Sequence, residues 1–204
     1  MFLNYLKIAW RNLLKNRRSS FINIFGLAVG MAVAMLIGLW IWDEISFNKS
    51  NRSYKRTGQI LQHQTFHCTS FTGPAIPFPL GEELRATYGD QFQYVAMASW
   101  QGDHILSAGD KHITQNGMYT EKDGPKIFDV QMVSGTIEGL ASPNSILLAE
   151  SAANAFFGGA DPINQLMKID SKLDVKVTGV FKDLPHNTTL NEIKFIAPWD
   201  LFKT

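Results

Sequence analysis

Acidic residues are missing from the front of this chain, none preceding Asp43, and no ionisable side chain of either sign lies between Phe21 and Trp42. Twenty-two uncharged residues are hard to reconcile with a soluble surface. As a helix the run reaches about 33 Å, enough for a hydrocarbon core of ~30 Å, whereas buried soluble helices seldom sustain more than ~14 such residues. With no ionisable group inside it, the run also carries no proton or ion relay. Cysteine is scarce too. Cys68 stands alone among 204 residues, which excludes an intrachain disulfide, so any domain here is held by its core. The sequence has no G-x-x-x-x-G-K-[ST] phosphate loop, no G-x-S-x-G elbow and no H-E-x-x-H pair, which removes nucleotide, hydrolase and metalloprotease chemistry built on those devices. No cofactor is expected.

What is present begins with cations. Lys7, Arg11, Lys15, Arg17 and Arg18 give residues 1–20 a charge of +5, against −4 for residues 43–204. The positive-inside rule therefore places the N-terminus in the cytoplasm and the chain after about residue 44 outside it. A cleaved signal peptide would have an apolar core of only ~7–15 residues ending in a small-x-small site. This run is longer and ends in Trp40-Ile-Trp42, an interfacial aromatic anchor. Before it, Phe2, Leu3, Leu6, Ala9, Trp10, Leu13 and Leu14 recur at helical spacing opposite Lys7, Arg11, Lys15 and Arg18. That pattern predicts an amphipathic helix over residues 1–18 lying at the bilayer surface, its cations toward anionic lipid or an acidic partner. Within the span, predicted over 19–44, Gly26, Gly30, Ala34 and Gly38 fall every fourth position, a face on which another membrane helix can pack closely.

Residues 45–204 read as one α+β domain. Leu173 to Phe181 alternates as a half-buried strand broken by Gly179, and Ile193, Phe195 and Ala197 repeat the alternation. Ser145 to Ala149 is a short apolar strand entering a helix, Glu150 to Phe157, stopped by Gly158 and Gly159. Another helix, containing Leu80 and Leu84, ends near Tyr88. His63, His67 and Cys68 are metal ligands by type, but Gln59 to Phe71 reads as strand, which would separate the two histidines by ~13 Å. His104, His112 and His186 read as isolated, Asp103 beside His104 as no pair, and Glu82 and Glu83 as solvated. Asn51-Arg-Ser53 and Asn187-Thr-Thr189 match a glycosylation pattern that matters only in a eukaryotic secretory setting. The mild acidity of the domain offers no nucleic-acid surface.

Two stretches resemble a known family. Tyr5-Leu-Lys-Ile-Ala-Trp-Arg-Asn-Leu-Leu-Lys-Asn16, then Ser20-Phe-Ile-Asn-Ile-Phe-Gly-Leu-Ala-Val-Gly-Met31 and Trp42-Asp-Glu-Ile-Ser-Phe47, are similar to the start of FtsX-like, MacB-type ABC transporter permeases. Phe156-Phe-Gly-Gly-Ala-Asp-Pro-Ile163 and Val177-Thr-Gly-Val-Phe-Lys-Asp-Leu-Pro185 are similar to the closing part of their periplasmic core domain. The resemblance implies a non-enzymatic inner-membrane subunit in which a partner ATPase moves a periplasmic domain, for export or for control of cell-wall hydrolases. It also implies contacts with other permease helices or a second permease copy. Asn164-Gln165 stands where the family usually has Gly-Lys; Asn tolerates the left-handed backbone such a turn needs. The family has at least three further spans, so the chain is read as the N-terminal part of a longer permease, its domain incomplete. The rival reading is a single-span anchored sensor or binding module without an ATPase.

Overall fold

A computed structural model describes residues 2–203; Met1, Thr204 and the side chains of Phe2, Leu3 and Leu6 lie outside the described residues, so those members of the predicted apolar stripe are not placed. The chain divides into two compact units, residues 1–47 and 48–204. The first holds α1 (Phe2–Lys15) and α2 (Arg17–Ser46). Both have strong helix formers and no proline, and Asn16, at φ −107° and ψ 49°, interrupts them. Phe47 ends α2 in extended backbone.

The second unit starts with a hairpin, β1 (Gln62–Phe66) and β2 (Thr69–Gly73), followed by α3 (Leu80–Tyr88). The strand expected across 59–71 is thus two strands. His67 and Cys68 have φ of 46° and 66°, the left-handed pair of a two-residue hairpin turn. Then come β3 (Gly102–Ala108), β4 (Lys111–Thr120), α4 (Gly124–Ile127), β5 (Met132–Gly135), β6 (Ser145–Ala149) and α5 (Glu150–Phe157). The chain continues through β7 (Leu166–Ile169), β8 (Leu173–Phe181), β9 (Phe195–Pro198) and α6 (Trp199–Phe202). Gly158, at φ 60°, closes α5 by donating its N–H to Asn154 O at 2.8 Å.

Seven strands form one sheet in the order β5-β8-β6-β9-β4-β3-β7, and β7 also pairs with β8, so six of them close into a ring. Side chains alternate between its two faces. Leu106, Tyr119, Ile146, Leu148, Val175, Val177, Phe195 and Ala197 join one core cluster, while Met118, Leu147, Ala149, Phe181 and Ile196 join the other. Because β9 lies between β4 and β6, all of Phe195–Pro198 is buried rather than half-buried as its alternation predicted.

Gly179 does not break β8. Ile146 pairs with Val177 and Leu147 with Gly179, leaving Thr178 as an extra residue that shifts the phase. Val180 thereby joins the first cluster and Phe181 the second. A Cβ at Gly179 would sit 2.5 Å from Met132 Cε and 3.0 Å from Leu147 Cδ2, so any larger residue between β5 and β6 would have to displace the Met132 side chain and press on Leu147. Asn164 takes φ 67°, and its N–H donates to Val177 O at 2.8 Å. The left-handed turn anticipated for that position is present.

Candidate functional site

The membrane-type surface comes first. No residue of α2 is buried, and Leu36, Trp40 and Trp42 are 66%, 67% and 74% exposed. A soluble protein rarely leaves so large a continuous apolar surface in water. Gly26, Gly30 and Gly38 have no atom within 4 Å of a would-be Cβ, so that face of α2 is uncovered among the described residues. Four-residue spacing turns about 40° per step, so the row from Gly26 through Ala34 to Gly38 slants across about a third of the helix.

On α1, Lys7, Arg11 and Lys15 are all exposed and cover an arc of about 80° at 100° per residue. The fourth cation of the predicted stripe is not on this helix. Arg18 lies beyond the Asn16 interruption, in α2, so the structure brings three of the four onto one element. Tyr5, Trp10, Leu13 and Leu14 are exposed on α1 as well, and Ile8 falls beside Lys15 at the edge of the cationic arc. Arg17 donates from Nε to Leu14 O at 3.2 Å across the joint.

The second unit places the remaining candidates. His63 Nδ1 lies 2.9 Å from Thr72 Oγ1 across the β1–β2 pair, while His67 and Cys68 form the turn. No group of three His, Cys, Asp or Glu side chains suited to a metal occurs among the described residues. His104 and His112 are not isolated as expected. His104 Nδ1 is 2.6 Å from Asp170 Oδ2, whose other oxygen accepts the Ile105 N–H at 2.9 Å; His112 Nδ1 is 2.8 Å from Ser107 Oγ. Asp103 instead accepts from Asn116 Nδ2. Asn51 donates from Nδ2 to Ile127 O at 2.7 Å, so its amide serves the fold.

These pairs hold strands together. Asp170 clasps β3 where only two residue pairs, Leu106 with Ile169 and Ser107 with Lys168, join it to β7. Burial pushes the Asp170 carboxyl up, but hydrogen bonds from His104 and from the Ile105 amide outweigh it and hold the group below its ordinary value. Asp183 behaves alike. It accepts from the Ser151 hydroxyl and amide and from Lys194, tying the start of α5 to the approach to β9, and these donors overcome burial and lower it. Tyr119, buried and near Asp170, is pushed up to about 12. Arg85 is held charged chiefly by its hydrogen bonds to Glu121.

The sequence reading missed two features. Asn48, the first residue of the second unit, has φ 58°; its N–H donates to Asn187 O at 2.8 Å and its Oδ1 accepts from Thr188 Oγ1, the Thr189 N–H and, at 3.3 Å, Thr189 Oγ1. A carboxamide oxygen has two lone pairs, so the two shorter bonds are the effective ones. The second feature is the cationic run of Lys49, Arg52, Lys55 and Arg56, legible as four basic residues and no acid in eight positions.

The family model described as MacB-like periplasmic core domain matches residues 20–204. No curated protein matches the chain. Among solved structures, the periplasmic region of MacB from Actinobacillus actinomycetemcomitans is 18% identical, with a TM-score of 0.47, over 59% of this chain and 53% of that one. The extracellular domain of the noncanonic ABC-type transporter YknZ from Gram-positive bacteria is 13% identical, with a TM-score of 0.47, over 60% of this chain and 62% of that one. The chain therefore spans about half to three fifths of the length of these structures.

Proposed function

The chain belongs to the family of the MacB-like periplasmic core domain, found in ABC transporter permeases, and from that premise we propose that it works as a non-enzymatic permease subunit whose outer unit is moved by a partner ATPase. The observation that carries the reading is the order of parts: a long helix, uncharged from Phe21 to Trp42, followed in the chain by a ring-closed α+β unit that the family model covers. The span would sit in a bacterial inner membrane, with α1 on the cytoplasmic side and residues after about 44 in the periplasm.

Each part then has a task. Lys7, Arg11 and Lys15, with Arg18 beyond the joint, supply the cytoplasmic surface that meets the ATPase or anionic lipid. Gly26, Gly30, Ala34 and Gly38 admit other permease helices or a second copy. Movement of α2 reaches the outer unit through the chain at Phe47–Asn48, and the Asn48 hydrogen bonds to residues 187–189 keep that entry point fixed to the domain. Export and mechanotransmission both need that linkage to be stiff.

The test is co-purification of the tagged chain from its own host membranes, before and after the charge reversal Lys7→Glu, Arg11→Glu, Lys15→Glu. Support is recovery of an ATPase bearing a G-x-x-x-x-G-K-[ST] loop that is lost on reversal while the chain stays in the membrane fraction. Retention of the ATPase after reversal removes α1 as its contact, and absence of any ATPase returns the chain to an anchored sensor.

A further inference from the structure

The segment 49–56 carries Lys49, Arg52, Lys55 and Arg56 without an acid, a charge of +4 inside an outer stretch, residues 43–204, whose net charge is −4. All four side chains are exposed. The Arg52 guanidinium stands 3.9 Å from Asp129 Oδ2, with its side chain 80% exposed, and the Lys55 ammonium stands 5.8 Å from the Tyr54 ring centre. Lys49, Lys55 and Arg56 form no ion pair among the described residues. Solubility alone is served by cations interspersed with acids, and here they are segregated.

The backbone beneath them is nevertheless fixed. Asn51 donates to Ile127 O and accepts the Ser53 N–H, each at 2.7 Å; the Arg52 N–H donates to Asp129 Oδ2 at 3.1 Å; and Tyr54–Arg56 forms a 3₁₀ turn. Rigid backbone with its charges left in solvent is a surface prepared for an anionic partner.

Connectivity limits which partner. Lys49 is three residues past Ser46, the last residue of α2, so at ~3.5 Å per residue its Cα lies within about 11 Å of the helix end. That upper bound is a little more than one Debye length, about 8 Å at physiological ionic strength. The placement also runs against the topogenic bias: five cations precede the span and four follow it closely, and those on the outer side oppose the orientation that the other five favour. Their use therefore lies on the outer side.

We propose that Lys49, Arg52, Lys55 and Arg56 form a collar for anionic phospholipid headgroups of the leaflet into which α2 exits, with Tyr54 among them at the interface. The proposal rests on the reading that α2 spans the bilayer. Each cation meets a lipid phosphate, and the collar holds residues 49–56 against the headgroups, where Tyr54 has both an apolar and a wet side to fill.

The experiment is amide hydrogen exchange of the full chain in nanodiscs of phosphatidylcholine alone and of an equal mixture with phosphatidylglycerol. Residues 47–57 are expected to exchange about fivefold more slowly in the anionic discs, the effect of one well-placed cation at an anionic surface. High salt should erase the difference, an arm that needs no variant, and so should Lys49→Gln, Arg52→Gln, Lys55→Gln, Arg56→Gln, with unchanged protection in β6 and β9 showing that the variant folds. Equal exchange in the two discs, as for a collar that instead meets an acidic protein, overturns the proposal, as does a slowing that survives neutralisation. Rapid exchange within α2 itself would overturn the spanning reading instead.

Discussion

Helix α2 and strand β6 are both written in apolar residues, and they end in opposite surroundings. Across Arg17–Ser46 no side chain is buried, whereas all five residues of Ser145–Ala149 are. Apolar character states only that a segment must leave water. β6 is covered from within the chain, by β8 and β9 at its edges and by two core clusters on its faces. Among the described residues α2 has no such cover, and under the proposed function its solvent is lipid. The two regions should therefore fail independently and under different insults.

The largest effect belongs to the covered region. Phe195→Ala removes a fully buried ring that meets His104 and Tyr119 edge-on, and should cost about 3–5 kcal/mol, read as a lower denaturant midpoint for the outer unit in detergent. Leu36→Ala, on the exposed surface of α2, should leave that midpoint unchanged; a comparable drop would break the contrast between the regions. Conversely, Leu at Gly26, Gly30 and Gly38 together should weaken pairing of α2 at least about tenfold, or ~1.4 kcal/mol, measured as energy transfer between labelled copies in liposomes. Unchanged transfer would eliminate a second copy as the partner on that face.

Only the outer unit should respond to pH in the ranges that its perturbed groups define. Asp170 and Asp183 are held below their ordinary value, so the stability they contribute is complete above the unfolded-state value of about 4 and is lost as pH falls through the lower folded-state values. Tyr119 is raised to about 12, so its contribution is complete below an unfolded value of about 10 and is lost between about 10 and 12. Asp183→Asn should remove part of the acid limb and cost about 1–2 kcal/mol, toward the low end for a charged acceptor because the carboxylate is a third exposed. Tyr119→Phe should flatten the alkaline limb; a steep one in that variant would reassign it.

The smallest effect sharpens the boundary between the regions. Asn48→Ala should speed exchange at residues 187–190 several-fold, with about 1 kcal/mol lost locally, while β6 and β9 keep their protection. Exchange unchanged at 187–190 would mean that the entry point is held by something else.

Where the reading from residues alone succeeded, the signal was local. The apolar run, the Ser145–Ala149 strand entering the Glu150–Phe157 helix and the left-handed Asn164 each follow from residues within a turn or two. Where it failed, the determinant was distant or needed backbone geometry. The turn at His67-Cys68 uses two residues with no glycine to announce it, and the phase shift at Thr178 exists only because β6 lies alongside. His104 finds Asp170 from 66 positions away, and the β3–β4 hairpin, about half of it polar residues, shows little apolar alternation along the sequence. The cations of α1 and the small residues of α2 were visible in composition and spacing, and their roles stay with the proposal. Their partners were not visible.

By itself, then, the sequence determined that one segment is long and apolar enough to leave water, which flank is basic, and that the rest carries enough apolar alternation to build a core, since each of these depends on transfer free energy and period. Tertiary structure decided the strand order, the closure of the ring, the acceptors for His104 and Lys194 and the seat of Asn48. Those depend on which distant residues come within 3 Å of one another, and no local period encodes that.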